Sequence, residues 1–355
     1  MTPAVLQVAG FGACTPIGRN AWASAAAARA GICGFAEHPF MIDSAGESMR
    51  VARAPWIGAD VDVPRRCAML LLPAIEEAVR PLVALGDAVH CRLGLALALP
   101  PPRAGHPFGL RDALLADITQ ANRALFGASR VFEVGHAGGH LALDAAMRGC
   151  AGASIDACVV CGVDSYLAPE TLEWIDASEQ LHGGGVLNNP WGFIPGEAAG
   201  AVLVVSQEFM ERTGMASLAT LAEPGLGLET RLIKSPDVCI GDGLTQAFRH
   251  ALQSLGPGDM VHNVICDMNG ETYRADEYGF TVLRTKEHFR NATDFVAPAD
   301  CWGDVGAAGM PLHVVLAAIS HLKHYGRGPV SMVWASSESG ERGAVLVRGI
   351  DPRDG

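Results

Sequence analysis

The sequence predicts a layered α/β fold built from two similar halves. Short apolar segments alternate with helical patterns through residues 1–210, as strands covered by helices do. Residues 211–355 repeat that order and close on two further extended segments. The 355 residues are 49% hydrophobic and only 18% charged, enough for a large core and for apolar surface at a subunit interface.

In the first half the expected strands are 5–11 (VLQVAGF), 92–99 (RLGLALAL), 130–134 (RVFEV), 156–163 (DACVVCGV) and 199–206 (AGAVLVVS). Helices are expected at 20–30, 67–82, 110–125 and 139–149, where apolar residues recur three and four apart. A polar, glycine-rich passage at 181–200 separates the fourth and fifth strands. The second half reads as extended at 219–229, helical at 242–256 and extended at 261–270. A helix near 275–290, a strand at 294–298 and a long helix at 306–326 follow, and PVSMVWASS and GAVLVRG end the pattern. The halves divide as 1–210 and 211–355, with the break near 207–217. No repeated sequence accompanies the repeated pattern, so the duplication rests on periodicity.

Composition narrows the function classes. The formal net charge is −12 without a basic block, which argues against nucleic acid and anionic membrane as partners. No apolar run reaches the roughly 18 residues of a membrane span, and MTPAVLQVAG is strand-like with no charged leader. A cytoplasmic protein with reduced thiols is expected. Ten cysteines are scattered along the chain, and Cys158 and Cys161 lie in a strand-like run, where they read as core thiols. Neither a metal nor a cofactor is expected.

The chemistry-bearing stretch is VGHAGGHLAL (134–143). It passes from a strand through glycines into a helix, where an enzyme seats a nucleophile at the positive end of the helix dipole. The residue in that seat is His136. By the helix dipole alone its imidazole should be neutral.

The order of VAGFGACTPIG (8–18), RAGICGF (29–35), HAGGHLAL (136–143), CGVDS (161–165), GFIPGEAAG (192–200), NGETYRAD (269–276) and GDVGAAG (303–309) resembles the β-ketoacyl synthase family of the thiolase superfamily. The resemblance covers nearly the whole chain. It implies a thiolase-like five-layered αβαβα fold, a dimer, and an acyl tunnel at its centre. It also implies decarboxylative condensation by one cysteine and two histidines on chains delivered by an acyl carrier protein. Here the family's cysteine falls on His136, its first histidine on Asn269, and its second on Asp304 (or Gly303 without a deletion). The family's lysine has no counterpart, and SSESGERG (336–343) lacks its gating phenylalanine. Gly138, Gly139, His140, Phe193 and Gly306 fall at substrate-binding positions. Glu197 is expected to tie loops together, with Gly196 and Gly200 allowing close packing.

Condensation is therefore not expected. Asn269 donates hydrogen bonds but shuttles no proton, and Asp304 would oppose a developing enolate. The leading expectation is an acyl-binding or partner subunit, like the family's chain-length factors, which lack the cysteine. It would meet acyl carrier protein or acyl-CoA, as a homodimer or beside an active ketosynthase. The alternative is an acyltransferase or thioesterase with a non-standard site of His136, Asn269 and Asp304, in which Asp304 orients His136 and Cys301 is a candidate relocated nucleophile. His136 and His140, four apart, also have a zinc-like spacing.

Overall fold

The computed structural model describes residues 5–350 apart from 87–88, 122–124, 234 and 236. Its first half contains β1 (Val5–Cys14), a hairpin β2 (Phe35–Ile42) and β3 (Ser48–Ala52), then β4 (Leu93–Ala98), β5 (Ala128–Phe132), β6 (Ala157–Ser165) and β7 (Glu197–Val205). The second contains β8 (Ala219–Ala222), β9 (Gly225–Leu228), β10 (Asn263–Cys266), β11 (Phe295–Val296), β12 (Val330–Ser336) and β13 (Glu341–Gly349).

The main sheet runs β11-β10-β12-β13-β8-β1-β7-β6-β4-β5, with β9 paired to β13. Each half repeats one arrangement. In the first, β4 is parallel to β5 and β6, β7 is antiparallel to β6, and β1 is antiparallel to β7. In the second, β10, β11, β12, β13 and β8 repeat those relations in order. The halves join where β1 and β8 pair, from Val5 opposite Ala222 to Val8 opposite Ala219. The duplication expected from periodicity is present in the topology.

Helices complete five layers. Outside the first half lie α2 (Val63–Val83) and α3 (Leu110–Ala121); Leu70, Leu71 and Ile75 share a core with Leu97, Val159 and Leu203. Outside the second lie α7 (Asp242–Leu252) and α8 (Thr272–Thr285), where the Tyr278 ring stacks on Trp334 at 5.0 Å. Between the two sheet halves sit α1 (Ala21–Arg29), α4 (Gly138–Ala151) and α10 (Gly309–Leu322). Twelve of the 14 residues of α10 are buried, which is why its sequence is apolar on every face.

Where the elements differ from expectation, local chemistry explains it. Strand β5 starts and ends two residues before 130–134, because Gly135 takes φ +75° and turns the chain out of the sheet. Helix α2 starts four residues before 67, since Asp62 caps it by accepting the Arg65 N–H at 2.9 Å. Residues 122–124 of the expected 110–125 helix lie outside the described residues. The hairpin, α5 (Pro169–Ala177), α6 (Gln207–Thr213) and α9 (Ala299–Trp302) were not expected, and α6 occupies the supposed break. Cys158 and Cys161 pack into different cores on opposite faces of β6.

Backbones approach closely at the centre. A Cβ on Gly162 would stand 2.1 Å from the Ala307 carbonyl oxygen. Gly162→Ala must push β6 off the turn that precedes α10, and is expected to lose about 1–3 kcal/mol by overpacking. Urea unfolding measures this, and a loss under half a kcal/mol would contradict such tight contact.

Candidate functional site

The two central helices begin alike. Helix α4 follows β5 and helix α10 follows β11 and α9, and each opens with a single 3-10 turn, Gly135–Ala137 before α4 and Gly306–Ala308 before α10. The residue before each turn has nearly the same backbone, Val134 at φ −122°, ψ 7° and Val305 at φ −121°, ψ 17°; each turn then opens on a positive-φ glycine. Val134-Gly135-His136-Ala137-Gly138 and Val305-Gly306-Ala307-Ala308-Gly309 are thus a short sequence repeat, which corrects the expectation of none. His136 is the position at which they differ.

Its partner comes from the other half. The His136 Nε2 lies 2.9 and 3.0 Å from the two Asp304 carboxylate oxygens, and both residues are buried. An ionised carboxylate only accepts, so Nε2 carries the proton. Burial disfavours the imidazolium, but Asp304 outweighs it and holds His136 above the ordinary histidine value. Burial also pushes against charge on Asp304, yet His136, Arg274 and the Gly306 N–H hold its carboxyl well below the usual range. The helix dipole alone favours the neutral imidazole, and Asp304 works in the opposite direction. A carboxylate within 3 Å acts more strongly than the partial charge of a helix end.

The other site residues close the network. Asn269 Nδ2 donates to Asp304 at 2.7 Å and to Glu271 at 2.9 Å, and its Oδ1 accepts the Glu271 N–H at 3.1 Å. Arg274, fully buried, donates to Asp267 at 2.7 Å, to Glu271 at 3.3 Å and to the Ser336 carbonyl at 2.8 Å. The Ala137 N–H at the helix start donates to Ser337 Oγ at 2.9 Å. Asp267, Arg274 and Ser337 were missed as functional residues. Glu271 and Arg274, three apart, are the one signal legible as a helix-face pair.

Space is equally restricted. The cavity that His136, Asp267, Asp304 and His313 line has a volume of about 10 Å³. That is about one water molecule's worth. A histidine whose Nε2 faces a carboxylate is held in one orientation, with its other ring nitrogen turned away from that partner.

Of the remaining candidates Gly306 joins the site, its N–H donating to Asp304 Oδ1 at 2.8 Å, and the others lie apart from that pair. Cys301 lines a different cavity, with Sγ 3.8 Å from the Ala28 carbonyl oxygen, and burial raises its thiol pKa. It is not placed as a relocated nucleophile. Phe193 packs edge-on against Tyr166 at 5.4 Å in a separate apolar cluster. Gly138 and Gly139 admit Ala98 and Met310 at close range, and Gly306 lies against Asp164. Gly138 and Gly139 are packing positions. His140 is fully buried, with Nε2 3.2 Å from the Val333 carbonyl oxygen, and burial lowers its pKa to about 4.

Among the described residues one trio of potential metal ligands converges, Glu229, Cys239 and Glu277, and it includes neither histidine of the zinc-like pair. Glu277 is held by Arg342 and Ser336, and Glu229 by the N–H groups of Thr230, Arg231 and Gly243. Glu197 behaves as expected, accepting from the Ala54 N–H at 2.8 Å, Arg66 at 2.8 Å and Ser165 at 3.0 Å.

No protein-family model and no curated protein matches this sequence. Solved structures do match. A chain of the AntDE:AntF complex, a type II polyketide synthase acyl-carrier protein with its ketosynthase bound to the hexaketide, superposes with a TM-score of 0.80 at 16% identity. The match covers 98% of this chain and 100% of that one. The ishigamide ketosynthase/chain length factor gives 0.80 at 14% identity, over 98% and 100% of the chains. A β-ketoacyl synthase from Burkholderia phymatum STM815 gives 0.74 at 15%, over 99% and 100%. The fold is that of the ketosynthases, as the motif order implies. Among the described residues no helix is long and apolar enough to cross a membrane.

Proposed function

We propose that this chain is a ketosynthase-like subunit that does not condense acyl groups, and that it works beside a cysteine-bearing ketosynthase as chain-length factors do. The His136–Asp304 ion pair carries this reading. It fills the nucleophile's seat with a ring tied to a buried carboxylate and leaves room for about one water. The halves 1–210 and 211–355 serve as scaffold, and acyl groups arrive on a carrier protein or coenzyme A through the partner. Similar folds in a ketosynthase/chain length factor and in a ketosynthase complexed with an acyl-carrier protein support this reading. So does β5, which ends the sheet as an edge strand with Ala128, Ser129 and Arg130 exposed.

The test is intact-mass measurement after incubation with acyl-CoA and with acylated carrier protein. No mass gain is expected, and co-expression with a cysteine-bearing homologue should yield a mixed dimer on native mass spectrometry. A stable acyl adduct that vanishes in Cys301→Ala would replace this reading with the acyltransferase or thioesterase one.

A further inference from the structure

A cavity of about 310 Å³ lies between the first turns of α2 and the end of β1, at the lower end of the range of small-molecule sites. Arg65, Ala68, Met69 and Leu72 stand three, four and seven residues apart on α2, so they form one stripe down that helix and one wall of the cavity. Cys14 ends β1, Arg19 follows in the turn before α1, and Trp56 comes from the segment between β3 and α2.

These walls fix the charge of an occupant. Arg19 and Arg65 both line the cavity, neither is paired with a carboxylate among the described residues, and no Asp or Glu lines it. Asp62 and Glu77 lie before and after the stripe, and each has an oxygen engaged by backbone N–H groups. Asp62 accepts from Arg65 at 2.9 Å, and Glu77 accepts from Ala13 at 3.2 Å and from Ala21 at 2.9 Å. Glu76 is about 16 Å along the helix from Arg65, out of reach of its guanidinium. Burial pushes the Cys14 thiol up to about 12, so it adds no negative charge. In a chain of net charge −12, two cations facing one space reverse the sign locally. The Trp56 ring orders one of them, with the Arg19 guanidinium carbon 5.4 Å from its centroid. Two guanidiniums suit the several oxygens and double charge of a phosphoryl group better than a singly charged head. Met69 and Leu72 add apolar surface beside them.

We propose that this cavity binds a phosphate monoester carrying a small apolar group, with the phosphoryl oxygens on Arg19 and Arg65 and the apolar part against Met69 and Leu72. The inference stands apart from the reading of the His136 site, because no residue of that site lines this cavity. It gives a chain whose nucleophile seat is filled a ligand site at its outer helical layer.

The probe is phenyl phosphate, titrated calorimetrically against the full chain at pH 7.5, where it is a dianion. The other arms are phenyl sulfate, a monoanion of similar shape, inorganic phosphate, which lacks the ring, and benzylammonium. One saturable site per chain is expected for phenyl phosphate, at least tenfold weaker for phenyl sulfate and inorganic phosphate, and absent for benzylammonium. Arg19→Gln and Arg65→Gln should each weaken phenyl phosphate at least fivefold, and Arg249→Gln, at an exposed position of α7, should leave it unchanged. Both lining arginines are exposed, so their variants should fold. Binding should also alter the tryptophan fluorescence of the parent protein and leave that of Trp56→Phe unaltered, which places the ligand at this wall. Four results would each overturn the proposal: no saturable binding, affinity unchanged in both lining variants or lowered equally in Arg249→Gln, a fluorescence response kept in Trp56→Phe, or any other arm binding as well as phenyl phosphate.

Discussion

Acidification from pH 7 to about 4.5 is expected to strip several kcal/mol of stability from this protein, through two histidines that bind no substrate. His140 and His313 are buried between the sheet halves, and burial lowers their pKa to about 4 and about 3. Each also has an Nδ1 with no hydrogen-bond partner, so neither offers a ready acceptor to an added proton's charge. Above the unfolded value of about 6.5 both states are neutral and pH has no effect through them. As pH falls below 6.5 the unfolded chain takes up protons that the folded one refuses. Stability then drops by up to about 1.4 kcal/mol per pH unit for each residue, on the order of 3–5 kcal/mol each once the folded pKa is passed.

His136 has the opposite sign. Its folded pKa is raised, so its contribution is complete below 6.5 and is lost as pH climbs through the raised value. Asp304, whose carboxyl is held low, contributes at every pH above its unfolded value and fails only in strong acid. Stability should therefore peak near neutrality and fall steeply on the acid side. Urea melts at pH 7.5, 6.5, 5.5 and 4.5 measure the slope, and His313→Leu should remove about half of it. A slope unchanged by both His313→Leu and His140→Leu would refute the account.

Replacing the ring with the sulfur that the fold otherwise accommodates should damage the protein without making it a condensing enzyme. His136→Cys removes the imidazolium and leaves the Asp304 carboxylate buried with Asn269, Gly306 and a more distant Arg274. Breaking one side of a buried ion pair costs about 3–5 kcal/mol. The new thiol would sit beside that carboxylate, which disfavours the thiolate at neutral pH. Asn269 and Asp304 offer no imidazole, and burial lowers the pKa of His313, which also lines the cavity, to about 3. The expected result is a lower urea midpoint and no acyl adduct by intact mass. Adding Asp304→Asn should recover much of the stability and still give no adduct. Efficient acylation of the single variant would show that the seat is catalytically competent and that the ion pair merely occupies it.

Much of the architecture was legible in the chain. Strands such as VLQVAGF and DACVVCGV are continuous apolar runs because β1 and β6 are covered on both faces, and that burial leaves its mark residue by residue. The strand–turn–helix at His136 was legible for a similar reason, since Gly135 must take a positive φ that few other residues adopt. The hairpin β2–β3 was not, because FAEHPFMI is mostly exposed and shows no buried face to read. Arg274 went unnoticed because arginines usually stay on the surface, and Asp267, Glu271 and the Ser336 carbonyl, brought up by folding, make its burial tolerable.

By itself the sequence determined the layered fold, the duplication and the absence of a cysteine from the nucleophile's turn. These follow from periodicity and from residue identity at one local bend. Only the tertiary structure decided what His136 is. Its partner stands 168 positions away in the other half of the chain, brought to 2.9 Å when two similar helices pack together. Local propensity says nothing about such a meeting, and the field of a carboxylate at that range opposes the pull toward the neutral ring that the helix start alone would exert.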